Sequence, residues 1–410
     1  MKKIQNIIVV YDYAYVNGGA AKVAIQSAIS LSEAGYTVYY YAAVGPVCDE
    51  LMQSNVKVSC LGIKDINTDN PLKVLWNGIW NFEVEKDFDE FLSKFSINST
   101  IIHFHGWTKA LSVAPIKVAD KKRFHIAITL HDYFAVCPNG GFYNYQENKL
   151  CKYKAMSLKC LACNCDKRSY FQKWWRCVRQ SVQDFYVKRN ENIHYISISG
   201  VNENLIRPYV KSEKFYRVDN PVEMSMNKKR NAEKEDYFLY VGRVSEEKGA
   251  ELFCEAITQL KKSDVTARGI ILGDGPLYEQ LKAKYANVEF TGWLPSEEVQ
   301  TYMESARCLV FPSKCYEGAP LTIIEAMSVG LPCIVSDCTS ATEVIVDGYN
   351  GFVFRSNDVN ILVNKMQSAM EDAQLDAVIN RIETSMDFEH YTLAAYAKRL
   401  LVAFHNFFDK

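Results

Sequence analysis

No stretch of this chain approaches the ~20 consecutive apolar residues that a spanning helix needs, so the sequence offers no membrane-crossing segment. Low-complexity tracts and short-period repeats are also missing, which removes linker-like, fibrous and solenoid architectures. Charge of one sign is not in excess: 47 Lys and Arg face 48 Asp and Glu, a net charge of -1. Nothing in that balance favours a nucleic-acid partner. The N-terminal "MKKIQNIIVVYDY" has a basic start, but its apolar run is short, breaks at Asp12 and lacks a small-residue cleavage site, so a cytoplasmic protein is expected. The thirteen cysteines are odd in number and mostly scattered, which suits reduced thiols rather than a disulfide framework.

What is present is a globular composition, 48% hydrophobic and 23% charged, over 410 residues. That length exceeds one ordinary core and predicts two domains. "KIQNIIVVYDY" reads as a buried parallel strand. The loop "AYVNGGAAK", a helical stretch closed by Gly35 and the strand "YTVYYYAAV" complete a βαβ unit. Further strands recur at "STIIHFH", "FHIAITLH" and "HYISIS". The C-terminal half repeats the style from "YFLYVGRV" to "PCIVSD". The expected fold is α/β, two Rossmann-like domains facing one cleft. Boundaries fall at 1–218, a polar linker at 219–236, a second domain at 237–385, and a helix at 386–410 able to cap either half.

The segment "YEGAPLTIIEAM" places Glu317 and Glu325 on either side of a helix start. Pro320 suits the first turn, and Gly330 with Pro332 ends the helix. Backbone N–H groups around Gly318, Ala319 and Leu321 then face outward at the positive end of the helix dipole, a ready site for a diphosphate. Leu321 and Glu325 are four apart and share a face. Taken alone, the two glutamates read as a surface residue of an amphipathic helix and loop decoration, and only Arg243 and Lys248 beside them favour a ligand. Arg243, at the end of "YFLYVGR", and Lys248 after it lie where open α/β sheets bind ligands.

"GRVSEEKGAELF", "LGDGP", "FTGWL", "FPSKCYEGAPLTIIEAMSVGLPCIVSD" and "EVIVDGYNGFVF" resemble, in order and spacing, the GT-B glycosyltransferases of the family 4 type. "NGGAAKVA" and "TLHDYF" resemble that family's donor-facing loops. The resemblance implies a nucleotide-sugar donor, UDP- or GDP-linked. Glu325 would hold the ribose and Glu317 the transferred sugar, with Arg243 and Lys248 on the diphosphate. Gly18 and Gly19 would let backbone approach the distal phosphate, and His131 would touch the sugar. Gly273 would lie in a donor-facing turn, and Trp293 and Leu294 beside the base. It also implies retention of configuration without a covalent enzyme nucleophile. The one Asp-x-Asp, Asp87 and Asp89, sits in a polar helical stretch, so no catalytic divalent cation is expected. "HFHG" (His103, His105) reads as structural, with His105 at most on the acceptor side. By analogy the setting is surface polysaccharide or glycolipid synthesis on a glycan or lipid-linked acceptor, at the inner face of the plasma membrane. A sugar-nucleotide epimerase or an inactive nucleotide-sugar-binding scaffold are the other readings.

Residues 137–190 depart from the family pattern. Cys137, Cys151, Cys160 and Cys163, with Cys165 as a substitute, read either as a structural zinc site or as plain thiols. In "SYFQKWWRCVRQSVQDFYVKRN", Phe171, Trp174, Trp175, Val178, Val182 and Phe185 recur at helical spacing among basic residues. That describes either an interfacial membrane helix or a core-packed helix with a basic outer face.

Overall fold

Ile7, Ile8, Val9 and Val10 are each fully buried, although successive strand side chains point to opposite faces of a sheet. Such a run is stable only where helices cover both faces, and that condition favours parallel pairing. The computed structural model describes residues 4–64, 75–224, 236–262, 267–319 and 321–408. Two units divide the chain: unit 1 takes Met1–Gly141, Lys152–Pro221 and His390–Lys410, and unit 2 takes Phe142–Cys151 and Val222–Glu389.

The strands run, in chain order, β1 (Asn6–Tyr13), β2 (Thr37–Val44), β3 (Lys57–Cys60), β4 (Thr100–Phe104), β5 (His125–Thr129), β6 (Tyr143–Asn144), β7 (Lys149–Leu150), β8 (His194–Ser197), β9 (Phe215–Arg217), β10 (Tyr237–Val241), β11 (Arg268–Leu272), β12 (Val288–Gly292), β13 (Cys308–Phe311), β14 (Cys333–Ser336) and β15 (Phe352–Phe354). Unit 1 holds one sheet in the order β3-β2-β1-β4-β5-β8-β9, every pairing parallel. Unit 2 holds a second in the order β12-β11-β10-β13-β14-β15, again wholly parallel. In both, strand order reverses after the first strand. The crevices beyond the carboxyl ends of β1 and β4, and of β10 and β13, are therefore where a ligand is expected.

Helix Leu393–Phe408 belongs to unit 1: Tyr396, Leu400, Phe404 and Phe407 are buried, and the Tyr396 hydroxyl reaches Ser27 Oγ at 3.4 Å. Residues 142–151, which the sequence reading leaves in the N-terminal domain, form the antiparallel hairpin β6–β7 and cluster with unit 2. A hairpin pairs with itself, so it can leave its flanking chain without breaking a ladder.

Candidate active site

In unit 2 the loops after β10, β11 and β12 are tied by backbone bonds. Gly242 N donates to Leu272 O at 3.0 Å, Val244 N to Asp274 O at 3.0 Å and Gly273 N to Gly292 O at 2.8 Å. Space there is minimal. A Cβ on Gly273 would lie 2.1 Å from Gly242 O, so this glycine has a packing reason to be where it is. Arg243 follows β10 with its side chain exposed, and its guanidinium has no ion pair among the described residues.

Lys248 and Glu317 meet. The Lys248 ammonium lies 2.5 Å from Glu317 Oε1, which also accepts from Ser313 Oγ at 2.7 Å. The loops that carry them are joined by Lys314 N donating to Glu247 O at 2.9 Å. Burial pushes the Glu317 carboxyl up, but Lys248 and the hydroxyl and thiol donors outweigh it and hold it below the usual carboxylate range. For Lys248, burial works against the charge and Glu317 more than compensates, so the ammonium is held above its ordinary value. Sequence reasoning put both residues on a ligand and missed that they hold one another. Spacing along the chain carries no signal for a contact across 69 positions.

Beyond Glu317, Ser340 Oγ donates to Gly318 O at 2.9 Å, anchoring the turn that enters helix Leu321–Ser328. Pro320 lies outside the described residues. Ala319 and Leu321 are half-buried at the helix start, and Glu325 is half-buried one turn in. Ile323, Ile324, Ala326 and Met327 bury the opposite face. Leu294 is half-buried, but Trp293 is 76% exposed, so its indole is no part of the core.

In unit 1, Gly18 and Gly19 are exposed at the start of helix Gly19–Glu33, and a Cβ on either would meet nothing within 4 Å. Packing does not require glycine there. His131 follows β5, and its Nε2 lies 2.8 Å from His105 Nδ1. His105 Nε2 lies 3.2 Å from His103 Nδ1, and His103 Nε2 lies 2.7 Å from Thr129 Oγ1. Desolvation pushes His103 and His131 down to about 3 and His105 well below its ordinary value, so all three rings are neutral at physiological pH. Asp12, which the sequence reading used only to end an apolar run, is buried and accepts from the backbone of Lys109, Ala110 and Leu111 at 2.8–2.9 Å. It organises the loop after β4. Asp87 accepts from the Tyr41 hydroxyl and Asp89 pairs with Lys122, both structural contacts.

The expected zinc quartet is not assembled. Among the described residues, no three His, Cys, Asp or Glu side chains are grouped as a metal ion needs. Cys137 Sγ donates to Asn139 Oδ1, and Cys163 is half-buried. A fully buried cation stands among the thiols instead: Lys173 Nζ lies 3.5 Å from Cys160 Sγ and 3.2 Å from Cys165 Sγ. The helix that carries it, Tyr170–Tyr186, is turned inside out. Lys173, Cys177, Arg179, Gln180 and Gln183 are buried, while Phe171, Trp174, Val178 and Phe185 stay exposed. Its inner side chains serve loop carbonyls, Arg179 those of Thr108 and Pro138, Gln180 that of Ala135 and Gln183 that of Phe134. The alternative of a core-packed apolar face is thereby overturned.

Residues 222–385 match the family model described as glycosyl transferases group 1. The chain is 28% identical over 222 residues to a lipopolysaccharide 1,6-galactosyltransferase of Salmonella typhimurium, spanning 50% of this chain and 61% of that protein. It is 29% identical over 148 residues to an α-1,3-galactosyltransferase of Escherichia coli that acts from UDP-Gal on a GlcNAc-diphosphoundecaprenol, spanning 34% and 38%. The chain thus spans less than two thirds of either relative. Among solved structures, HepE of Anabaena in complex with UDP-glucose matches with a TM-score of 0.67 at 14% identity, covering 98% of this chain and 99% of that one. A sucrose-phosphate synthase of Thermosynechococcus elongatus matches with a TM-score of 0.70 at 18% identity, covering 99% of each. The match to the glycosyl transferases group 1 model thus falls within unit 2, in a chain of GT-B fold.

Proposed function

We propose that this chain is a retaining glycosyltransferase of the family 4 type, moving a sugar from a UDP- or GDP-linked donor to a hydroxyl of a glycan or lipid-linked acceptor without a catalytic metal. The observation that carries this is a convergence at the switch point of one sheet. Arg243, the Lys248–Glu317 pair and the start of helix Leu321–Ser328 all lie beyond the carboxyl ends of β10 and β13. Arg243, the Lys248 ammonium held by Glu317, and the helix-start amides supply the positive charge that a diphosphate leaving group needs as its bond to the sugar breaks. Glu317 keeps the Lys248 ammonium charged and aimed before the donor arrives. Glu325, one turn along the helix, takes the ribose hydroxyls. The sugar C1–O bond breaks toward the diphosphate and the acceptor oxygen bonds C1 on the same face. The acceptor proton passes to the departing phosphate oxygen.

The setting we infer is surface polysaccharide or glycolipid synthesis at the cytoplasmic face of a membrane. The outward apolar face of helix Tyr170–Tyr186 supports it, as does its basic surround: apart from the buried Lys173 and Arg179, residues 151–189 hold eight Lys and Arg against two Asp. The test of the reaction is calorimetric titration of UDP and GDP, in chelator, on wild type and Glu325→Ala. One nucleotide is expected to bind, at least about tenfold more weakly in the variant, the scale of charge-assisted hydrogen bonds. Folded wild-type protein that binds neither would sink the donor-site reading.

A further inference from the structure

The line of imidazoles in unit 1 has one property that its distances alone determine. A neutral imidazole has one N–H and one bare nitrogen. In a row of three, each link must therefore run in the same sense as the next, or two hydrogens or two lone pairs would face each other. In one sense the Thr129 hydroxyl donates to His103 Nε2, His103 Nδ1 donates to His105 Nε2, and His105 Nδ1 donates to His131 Nε2. His131 then carries its hydrogen on Nδ1. In the opposite sense every bond is reversed, His103 Nε2 donates to Thr129 Oγ1, and His131 Nδ1 is bare.

Thr129 decides between them. It is 3% exposed, and its hydroxyl has one hydrogen-bond partner among the described residues, His103 Nε2 at 2.7 Å. The reversed sense would leave a buried O–H without an acceptor, a state that folded proteins avoid. The first sense satisfies it. The surroundings hold the row in place: His103 is fully buried, Phe404 packs its ring edge-on to His103 at 5.3 Å between centroids, and the His105 and His131 rings lie within 22° of parallel at 5.0 Å between centroids. None of the three rings is protonated at physiological pH, so the tautomer and not the charge is what the row transmits. At the far end a small cavity is lined by His105, Thr129, His131 and Asp132, and His131 Nδ1 has no protein partner among the described residues.

We infer that Thr129, His103 and His105 are positioning residues that fix His131 as a neutral Nδ1–H donor, so that His131 offers a hydrogen bond to an oxygen of its ligand and does not act as a base. That the ligand is the sugar of a nucleotide sugar rests on the function proposed above; the tautomer does not.

The experiment is long-range ¹H–¹⁵N NMR of the full chain labelled at histidine, on wild type, Thr129→Val and Thr129→Ser. Wild type and Thr129→Ser are expected to show His131 as the Nδ1–H tautomer, and Thr129→Val a mixture. A wild-type Nε2–H tautomer at His131, or a Thr129→Val spectrum unchanged there, overturns the inference. The serine variant keeps the hydroxyl, so restored signal with serine separates the wire from general damage to β5. A second readout compares UDP with UDP-glucose. Thr129→Val is expected to weaken UDP-glucose about fivefold, the size of one neutral hydrogen bond, and to leave UDP unchanged, with serine restoring it. Equal weakening of both ligands overturns the assignment to the sugar. Wild type that binds neither ligand would sink the proposed function and leave the tautomer result standing.

Discussion

The Lys248 ammonium and Glu317 Oε1 stand 2.5 Å apart, with 32% and 15% of their side chains exposed. Neither is a free surface charge. A pair this sheltered is costly to break from one side, because the partner left behind keeps its desolvation without its counter-charge. Lys248→Met is therefore expected to destabilise unit 2 by roughly 1–3 kcal/mol, and Glu317→Gln by less. The double variant should recover part of that loss in thermal unfolding, with a coupling of about 1 kcal/mol or more, while nucleotide binding stays lost. Additive losses of stability would show that the contact contributes nothing to the fold.

The same pair predicts a pH effect whose sign follows from Glu317. Despite burial, its folded carboxyl is held below the ordinary glutamate value by Lys248. A carboxylate shifted down on folding stabilises fully at pH above its unfolded value, and the contribution fades as pH falls through the folded one. Wild type minus Glu317→Gln stability should thus be flat from pH 7 to about 5 and shrink below that. A difference that grows on acidification would contradict the ion pair.

Glycines in the two units divide by what surrounds them. Gly249 adopts φ +71°, and a Cβ there would lie 2.0 Å from Pro312 O. Gly249→Ala must push the chain between β13 and Glu317 outward, so it is expected to cost about 2 kcal/mol or more in stability and to weaken nucleotide binding. Gly19 meets nothing within 4 Å and opens a helix. Gly19→Ala should leave the melting temperature unchanged or raise it. If donor approach is what keeps Gly19 bare, the variant still binds UDP-glucose more weakly in calorimetry. Unchanged affinity would remove that role.

The strands and the helix that carries Glu325 were readable because each depends on local pattern: buried runs such as Ile7–Val10 announce a covered parallel strand, and a helix start follows from the turn before it. Contacts between distant segments were not. Lys248 finds Glu317, Asp12 finds the loop after β4, and His103 finds Thr129 through strand register, which one chain does not display. Periodicity likewise marked two faces on the 170–186 helix without saying which one turns inward. Loop carbonyls needing donors decided that, drawing Arg179, Gln180 and Gln183 to the inside.

That inversion supplies the remaining prediction. Phe171 is 71% exposed and Trp174 45%, on the same outward face as Val178 and Phe185, and Phe82 and Trp76 are exposed as well. Apolar rings left in water beside a strongly basic segment favour insertion at an anionic lipid surface, where area and charge act together. The full chain should co-sediment with vesicles containing phosphatidylglycerol and not with phosphatidylcholine alone, and added salt should weaken but not abolish the binding. Phe171→Ser with Trp174→Ser should lower vesicle affinity at least about tenfold, since each ring contributes of order 1.5 kcal/mol when buried. Because both rings lie outside the core, the melting temperature should stay within the small range of ordinary surface changes. Binding that ignores lipid charge, or that survives loss of both rings, would mean that this face serves something other than a bilayer.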